Sequence, residues 1–496
     1  MLYRLMVESR DDKANPLPAY CLFCACLVAT AQLLKADVLS VHPNNPRFFA
    51  DRSGKAIYLA GHQIFVDLQD NSFNKTFIRN KERTLNWNQY VDFLKHYNFN
   101  YLRNWVIWST GSGSMAPVNH AISFPMPYKR VKGHGKAKDG KDKFDLNQFD
   151  EVFFQRMRKR CQDLQESGIY VSIMLFEVYG FLDGEACGDP KQTLWDGNVF
   201  SRMNNINSID VDYDGNGRGI EFFYTKDSRI LRLQREYVKK LIDTVNDLDN
   251  VFYEVANELY APQWQYEMIE FIKRYEKTKP RQHLVLMSAG GRTRNGGWKQ
   301  MPRDAVVNGP SDCFAVAGSW QSERYRRKNP PANNGGKPGI VDMDHVAAGS
   351  HDVGFVWSAF TRGYHFNLYD KPFESPEAEG PEWERVRCNV GQTVEYAKKL
   401  DLANATPREG LASTGFCLAK PGCQYVVYQP DAVPFTVSGL RVGNSYYYQW
   451  YNTEQHRLVA SGWIRPPASK QSFRPAGKGS VLYLSATPES GSETFK

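Results

Sequence analysis

Eight short apolar segments, each separated from the next by a helical pattern, constrain the fold of this chain more than any other feature. The fourth, Val251 to Ala256, is an uninterrupted run rich in β-branched and aromatic residues, typical of a strand covered on both faces. Strands that alternate with helices form βα units around a parallel sheet, and eight such units predict a (β/α)8 TIM barrel. The predicted strands are Ala56 to Ala60, Asn100 to Trp108, Tyr170 to Phe176, Val251 to Ala256, His283 to Met287, Cys313 to Ala317, Gly339 to His345 and Tyr364 to Asp370.

The first 36 residues are predicted to be a signal peptide. An apolar run from Leu17 to Val28 follows basic residues and precedes Ala29-Thr30-Ala31, a cleavage pattern of small residues. The run is too short to span a bilayer, and no other segment of the sequence is apolar enough to do so. We therefore expect a secreted or periplasmic protein without a transmembrane anchor. Cys26 leaves a lipid-anchored form open.

The sequence divides after the signal into two predicted domains. Residues 37–405 carry the α/β barrel pattern. From Gly410 onward, short alternating strands are separated by Pro, Gly and Asn turns, which predicts a small all-β sandwich over residues 410–496. This second domain is expected either to cap the barrel or to bind glycans.

A carboxamide and a carboxylate, Asn257 and Glu258, follow the fourth predicted strand directly. The C-terminal ends of barrel strands are where such folds collect their catalytic groups. Glu258 is suited to proton transfer, and Asn257 to holding a hydrogen bond beside it. A strand that exits into a polar loop is the alternative. Polar residues at the other strand ends favour a site, with substrate contacts predicted at His62, Gln63, Arg103, Asn104, Trp105, Glu177, Asn257, Trp320 and His345, although barrel-end packing would also explain each of them.

On these residues the chain resembles the clan A glycoside hydrolases. More closely, it resembles a secreted bacterial group in which an apiosidase-like barrel precedes a C-terminal β-sandwich of the collagen-binding type. The resemblance rests on Tyr253 to Glu258, on Arg103, on Lys337-Pro338 before the seventh strand, and on Leu418 to Tyr428 in the sandwich.

The resemblance implies that Glu258 is the general acid/base and that a second carboxylate ends the seventh strand. Clan A has Glu at that second position, whereas this chain has Asp342 and Asp344, which lie on the same side of a strand. Asp344 is nearer the mouth and is the preferred candidate. A carboxyl separation of about 5–5.5 Å would give retention and about 6.5–9.5 Å inversion, and both outcomes stay open. Glu254 is expected to be a buried barrel residue.

The segment Asp210 to Glu221 fits the spacing of a twelve-position calcium loop, with side-chain oxygens at positions 1, 3 and 5, Gly at 6 and Glu at 12. Position 8 is Gly where an aliphatic residue is usual, and an Asp/Gly-rich turn without metal is the alternative. We expect a structural Ca²⁺ and no cofactor for catalysis. The predicted ligands are Asp210, Asp212, Asp214, Asn216 and Glu221.

The net charge of +8 is modest, but basic residues concentrate in the loops after the second, fifth and sixth predicted strands. A basic rim around the catalytic face would attract an anionic polymer, although ordinary solvated loops give the same pattern. The rim comprises Lys129, Arg130, Lys132, Lys136, Lys138, Lys141, Lys143, Arg292, Arg294, Lys299, Arg324, Arg326, Arg327 and Lys328.

The predicted function is therefore that of a glycoside hydrolase acting on a polysaccharide or oligosaccharide. A sulfated or uronate-bearing glycan, for example a carrageenan-like algal polymer, suits the basic rim. A polysaccharide lyase and a non-catalytic glycan-binding barrel are the alternatives. Export and the lack of a recognised motif argue against a nucleic-acid partner.

Overall fold

The structure is a computed structural model that describes residues 36–70, 85–110, 123–182, 194–316, 332–342, 351–370 and 380–486, and of Asp342 only the backbone. The predicted signal peptide lies almost entirely outside these residues. No helix in the described part of the chain combines the length and apolar character needed to cross a membrane.

Eight parallel strands close into a barrel, which confirms the predicted fold class. Each strand pairs with the next along the chain, and the last closes on the first through Phe366 opposite Ala60. The strands are β1 (Ala60–Gln63), β2 (Tyr101–Asn104), β3 (Tyr170–Glu177), β4 (Val251–Asn257), β5 (Val285–Ser288), β6 (Cys313–Val316), β7 (Gly339–Asp342) and β8 (His365–Tyr369).

Two of the predicted strands, the first and the second, have an end that lies four residues away from the predicted one. Ala56–Ile57 pairs antiparallel with Phe49–Ala50 in a separate small sheet, and the first barrel strand begins only at Ala60. Gly61 allows the barrel strand to continue here, because a Cβ at this position would lie 1.7 Å from the carbonyl oxygen of Tyr101 on β2.

The second strand ends at Asn104 and not at Trp108. Side chains accept hydrogen bonds from the backbone N–H groups that would otherwise pair with a neighbouring strand. Asp67 accepts from Trp105 N at 3.0 Å, Gln69 from Ile107 N at 2.6 Å, and Glu177 from Trp108 N at 3.0 Å.

Seven α-helices of the described residues surround the barrel or pack near it. Most are amphipathic, and α3 for example buries Leu233, Tyr237 and Leu241 on one face, whereas α6 is buried on nearly all sides. Asn86, Asp150, Asp227 and Asp352 cap four of the N-termini through their side chains. The helices are α1 (Trp87–His96), α2 (Glu151–Glu166), α3 (Ser228–Val245), α4 (Pro262–Glu276), α5 (Arg303–Asn308), α6 (Val353–Thr361) and α7 (Pro381–Lys399).

The C-terminal region is built from a six-stranded antiparallel sheet and a two-stranded sheet. Alternate residues of its strands face opposite sides: Tyr425 and Val427 pack in a core with Phe435 of the two-stranded sheet, whereas Tyr428 joins the main core of the barrel helices. The six strands, in sheet order, are Thr406–Pro407, Cys417–Lys420, Gln424–Gln429, Ser480–Ala486, Tyr446–Asn452 and Arg457–Ile464, and the pair is Phe435–Ser438 with Lys470–Phe473.

Candidate active site

The barrel interior contains a buried ion pair between Arg103 on β2 and Glu254 on β4. Arg103 donates from Nε to Glu254 Oε2 at 2.8 Å and from Nη2 to Oε1 at 2.5 Å, a two-pronged geometry that is among the stronger charge-assisted arrangements. Glu254 is fully buried, as expected for a residue inside the barrel. The same guanidinium donates to Gln63 at 2.9 Å and to Asn257 at 2.7 Å, and so connects β1, β2 and β4.

Arg103 fixes the orientation of the Asn257 side chain at the end of β4. Asn257 Oδ1 accepts from the guanidinium, so that its Nδ2 points elsewhere. Nδ2 is buried and has no hydrogen-bond partner among the described residues. A buried amide donor that is left over in this way is suited to a hydroxyl group of a bound ligand.

Glu258 follows Asn257 with a φ of 52°, a conformation uncommon for residues other than glycine. It is 6% exposed. Its carbonyl oxygen accepts from Arg292 N at 2.6 Å, in a hairpin formed by Gly290–Arg292 and Trp298–Gln300. The close approach requires a glycine before Arg292, since a Cβ on Gly291 would lie 1.9 Å from the Glu258 carbonyl carbon. The hairpin thus holds the backbone that carries the candidate acid/base.

Glu177, at the end of β3, is a second buried carboxyl group beside Glu258. Its oxygens accept from Trp108 N at 3.0 Å and from Gly180 N at 2.8 Å. Burial raises the pKa of Glu177 to about 7. Backbone hydrogen bonds from Trp108, Gly180 and Tyr179 oppose this rise, and the charge of Glu258 adds to it. Glu177 therefore joins the loops after β2 and β3 and is positioned next to the proposed reacting group.

The raised pKa of Glu177 predicts a specific pH dependence of stability. Between the ordinary pKa of a glutamate and about pH 7, the Glu177 carboxyl is protonated in the folded state but ionised in the unfolded state. The free energy of unfolding therefore decreases as the pH rises through this window. Above about pH 7 the free energy of unfolding is lower by the full contribution of this group, on the order of 3 kcal/mol. We expect Glu177→Gln to flatten the dependence, measured by urea unfolding at pH 5 and pH 8. Glu270→Gln, on the exposed face of α4, is the control, and equal slopes in the two variants would contradict the interpretation.

The structure does not support a substrate contact for His62. Its side chain points from β1 toward the helices, where Nδ1 lies 2.8 Å from Tyr90 Oη and Nε2 pairs with Asp370. The ring is fully buried and stacks on Phe99. Both ring nitrogens are occupied in packing contacts, which corrects the prediction for this residue.

Asn104 and Trp105 lie in the buried layer around the Arg103 network. Asn104 donates to Asp67 at 3.0 Å, and Trp105 Nε1 donates to Gln63 Oε1 at 3.2 Å. Both side chains are nearly fully buried, which makes them supports of the site in this structure.

The end of β7 is described only as far as the backbone of Asp342, which pairs with Asn367 on β8. The other predicted site residues of this region, Asp344, His345 and Trp320, lie outside the described residues, as do the rim residues Arg324, Arg326, Arg327 and Lys328.

Asn367 is a member of the network that the sequence analysis did not select. It donates to Gln63 Oε1 at 2.7 Å, and its own Oδ1 is buried without a hydrogen-bond partner among the described residues. An Asn inside the apolar run of β8 was the available signal, because a buried amide in a strand needs polar neighbours.

The predicted calcium loop follows β3 and is fully described. Its residues form Asx-type turns, with Asp214 and Asn216 exposed and Glu221 buried. Across the described residues, no group of three or more His, Cys, Asp or Glu side chains lies in a position that would hold a metal ion.

Several cations of the predicted rim have acidic partners. Arg130 contacts Asp139 at 2.5 Å, and Arg294 lies 3.6 Å from Glu221. Lys299 lies over the ring of Tyr260, 4.9 Å from its centre. The two ion pairs reduce the positive charge of the rim, while Lys129, Lys132 and Lys141 are exposed.

Comparison with known proteins bears on the fold. A family model described as a domain of unknown function (DUF6298) matches residues 119–308, and no curated protein matches the chain. A Bacteroides vulgatus protein assigned as a glycoside hydrolase aligns with a TM-score of 0.56 at 13% identity, over 91% of this chain and 82% of that chain.

Two further solved structures agree with this result. A glycoside hydrolase aligns with a TM-score of 0.52 at 14% identity, over 91% of this chain and 97% of that chain. A glycoside hydrolase family 5 protein from Bacteroides vulgatus gives 0.51 at 13% identity, over 90% and 93% of the two chains. At such identities the similarity establishes a shared fold.

Proposed function

We propose that this protein is a glycoside hydrolase that cleaves O-glycosidic bonds, with Glu258 as general acid/base. The observation that carries the proposal is the pair Asn257 and Glu258 at the C-terminal end of β4 in a closed barrel. Asn257 has a buried amide donor without a partner among the described residues, and the backbone of the next residue, Glu258, is strained and held by the hairpin. Solved glycoside hydrolases that share the fold support the assignment, and so does the sequence resemblance to clan A.

A second carboxylate is required opposite Glu258, either as a nucleophile or as the base for a water molecule. We assign this role to Asp344, with Asp342 as the alternative, because β7 ends at Asp342 and Asp344 follows two residues later in the sequence. Asp344→Asn is expected to lower kcat by at least about one hundred-fold and Asp342→Asn by less, measured on the same substrate. The reverse order would transfer the role to Asp342. The anomer released first, observed by NMR, decides between retention and inversion.

The substrate class that fits best is an anionic glycan, sulfated or uronate-bearing. Exposed lysines near the loop after β2 support this choice, because they would steer a polyanion toward the mouth of the barrel. The same proposal includes export through the predicted signal peptide. It also includes membership of the apiosidase-like group with its collagen-binding type of sandwich.

A screen of sulfated, uronate and neutral glycans tests the proposal. New reducing ends without ultraviolet absorbance indicate hydrolysis. Absorbance from an unsaturated product would instead assign the protein to the lyases, and binding without any product would assign it to the non-catalytic glycan-binding proteins.

A further inference from the structure

The loop after β3 wraps around the side chain of Asp212. Its Oδ1 accepts from Asn216 N at 3.0 Å and its Oδ2 accepts from Gly217 N at 2.9 Å. Gly215 and Gly217 both have positive φ angles, 71° and 79°, so that the chain turns sharply at these two positions. Each carboxylate oxygen keeps a further lone pair for another partner.

These hydrogen bonds favour a calcium loop whose first position is Asp212 and not Asp210. Asp210 is exposed, and its Oδ1 accepts a 3.2 Å bond from Asp212 N. With Asp212 as the first position, Asp214 and Asn216 become the third and fifth, and Gly217 becomes the sixth, where calcium loops require glycine. Glu221 then follows near the end of the loop.

Glu221 provides an independent observation. The residue is 1% exposed, and neither carboxylate oxygen has a hydrogen-bond partner in the described part of the chain. The nearest cationic atom that contacts it, Arg294 Nε, is 3.6 Å from Oε1. A buried carboxyl group without hydrogen bonds is costly unless a cation compensates it.

We propose that this loop binds Ca²⁺ through Asp212, Asp214, Asn216 and Glu221. With the Arg218 carbonyl and both oxygens of Glu221, these groups reach the lower end of the about six to eight oxygens that calcium takes. Asp214 and Asn216 are hydrogen-bonded to each other at 3.0 Å on the exposed side. Binding therefore requires these two side chains to give up this contact and turn toward the ion.

The loop is connected to the backbone of Glu258, so the ion would stabilise more than the loop itself. Arg218 donates to Asn295 O at 3.2 Å, and Arg294 contacts Glu221. Both partners lie in the connection of the hairpin whose residue Arg292 donates to Glu258 O. Calcium is thus expected to stabilise the hairpin that holds the candidate acid/base, a consequence independent of the reaction catalysed.

The experiment uses the full chain, treated with EDTA and then titrated with Ca²⁺ or Mg²⁺. Calcium is expected to raise Tm by about 5 °C at saturation, with EDTA reversing the rise and magnesium giving a smaller one. Tb³⁺ luminescence gives a direct binding signal, because Tyr213 lies in the loop and the ring of Trp195 packs against Gly219.

Three variants separate the proposal from its alternatives. Asp212→Asn and Glu221→Gln are expected to lose the calcium response, and Glu221→Gln to raise Tm in EDTA because a buried charge is removed. The matched control, Asp210→Asn, is expected to keep the response. A wild type indifferent to calcium, together with a lower Tm for Glu221→Gln, would overturn the proposal and leave Glu221 as the partner of Arg294. Loss of the response in Asp210→Asn alone would overturn the ligand assignment.

Discussion

Replacing Glu258 with Gln is expected to lower kcat/KM on unactivated glycans by about 10²–10⁴-fold, with little change in Tm. A carboxamide cannot protonate the leaving oxygen, but the substitution keeps the shape of the side chain and the backbone contact at this position. Arg292 N donates to the Glu258 carbonyl oxygen at 2.6 Å, and this bond is unaffected by the side-chain change. Initial rates on the best substrate of the glycan screen measure the effect.

The leaving group provides an internal check on the role of Glu258. Aryl glycosides with acidic phenols need less protonation, so the rate of bond cleavage should decrease less for them than for natural glycans. Glu270→Gln on α4 is the control, because this carboxylate is exposed and lies in a loose pair with Arg274 at 3.6 Å. Full activity of Glu258→Gln would remove Glu258 from the mechanism, whereas an equal loss on all substrates would argue for a role in binding.

Local sequence patterns predicted the number and order of the barrel strands, because buried parallel strands are apolar on both faces. The strand ends were less predictable. Trp105 to Trp108 continue the apolar pattern of β2, yet they leave the ladder because Asp67, Gln69 and Glu177 accept their N–H groups. These acceptors belong to segments that are distant in sequence. The residues around β2 alone therefore do not predict where the strand ends.

In the candidate site, the sequence did not predict which of two neighbouring side chains faces the barrel interior. His62 and Gln63 are neighbours at the end of β1, and the sequence does not decide which one faces inward. The structure turns Gln63 into the barrel toward Arg103 and His62 outward onto Asp370. Since successive side chains of a strand alternate between faces, an uncertainty of one residue in register exchanges a site residue for a packing residue.

Glu254→Gln is expected to cause the largest loss of stability, about 3–5 kcal/mol, because it leaves the Arg103 guanidinium buried without a counter-charge. The measurement is the free energy of unfolding from urea titration. The matched control is Glu454→Gln, which breaks the partly exposed pair between Arg385 and Glu454 and should cost less than about 1 kcal/mol. Similar losses in the two variants would show that the barrel interior does not depend on this ion pair.

The double variant Arg103→Met/Glu254→Leu separates stability from function. Apolar side chains of similar volume often replace a buried ion pair at little cost, so the double variant should be more stable than Glu254→Gln. It should not regain activity. Without Arg103, the Oδ1 atom of Asn257 loses its 2.7 Å donor, and no other hydrogen bond from the described residues orients this amide. Recovery of both stability and kcat/KM would mean that Asn257 is oriented by other contacts. Recovery of stability without activity would show that the ion pair serves to orient Asn257.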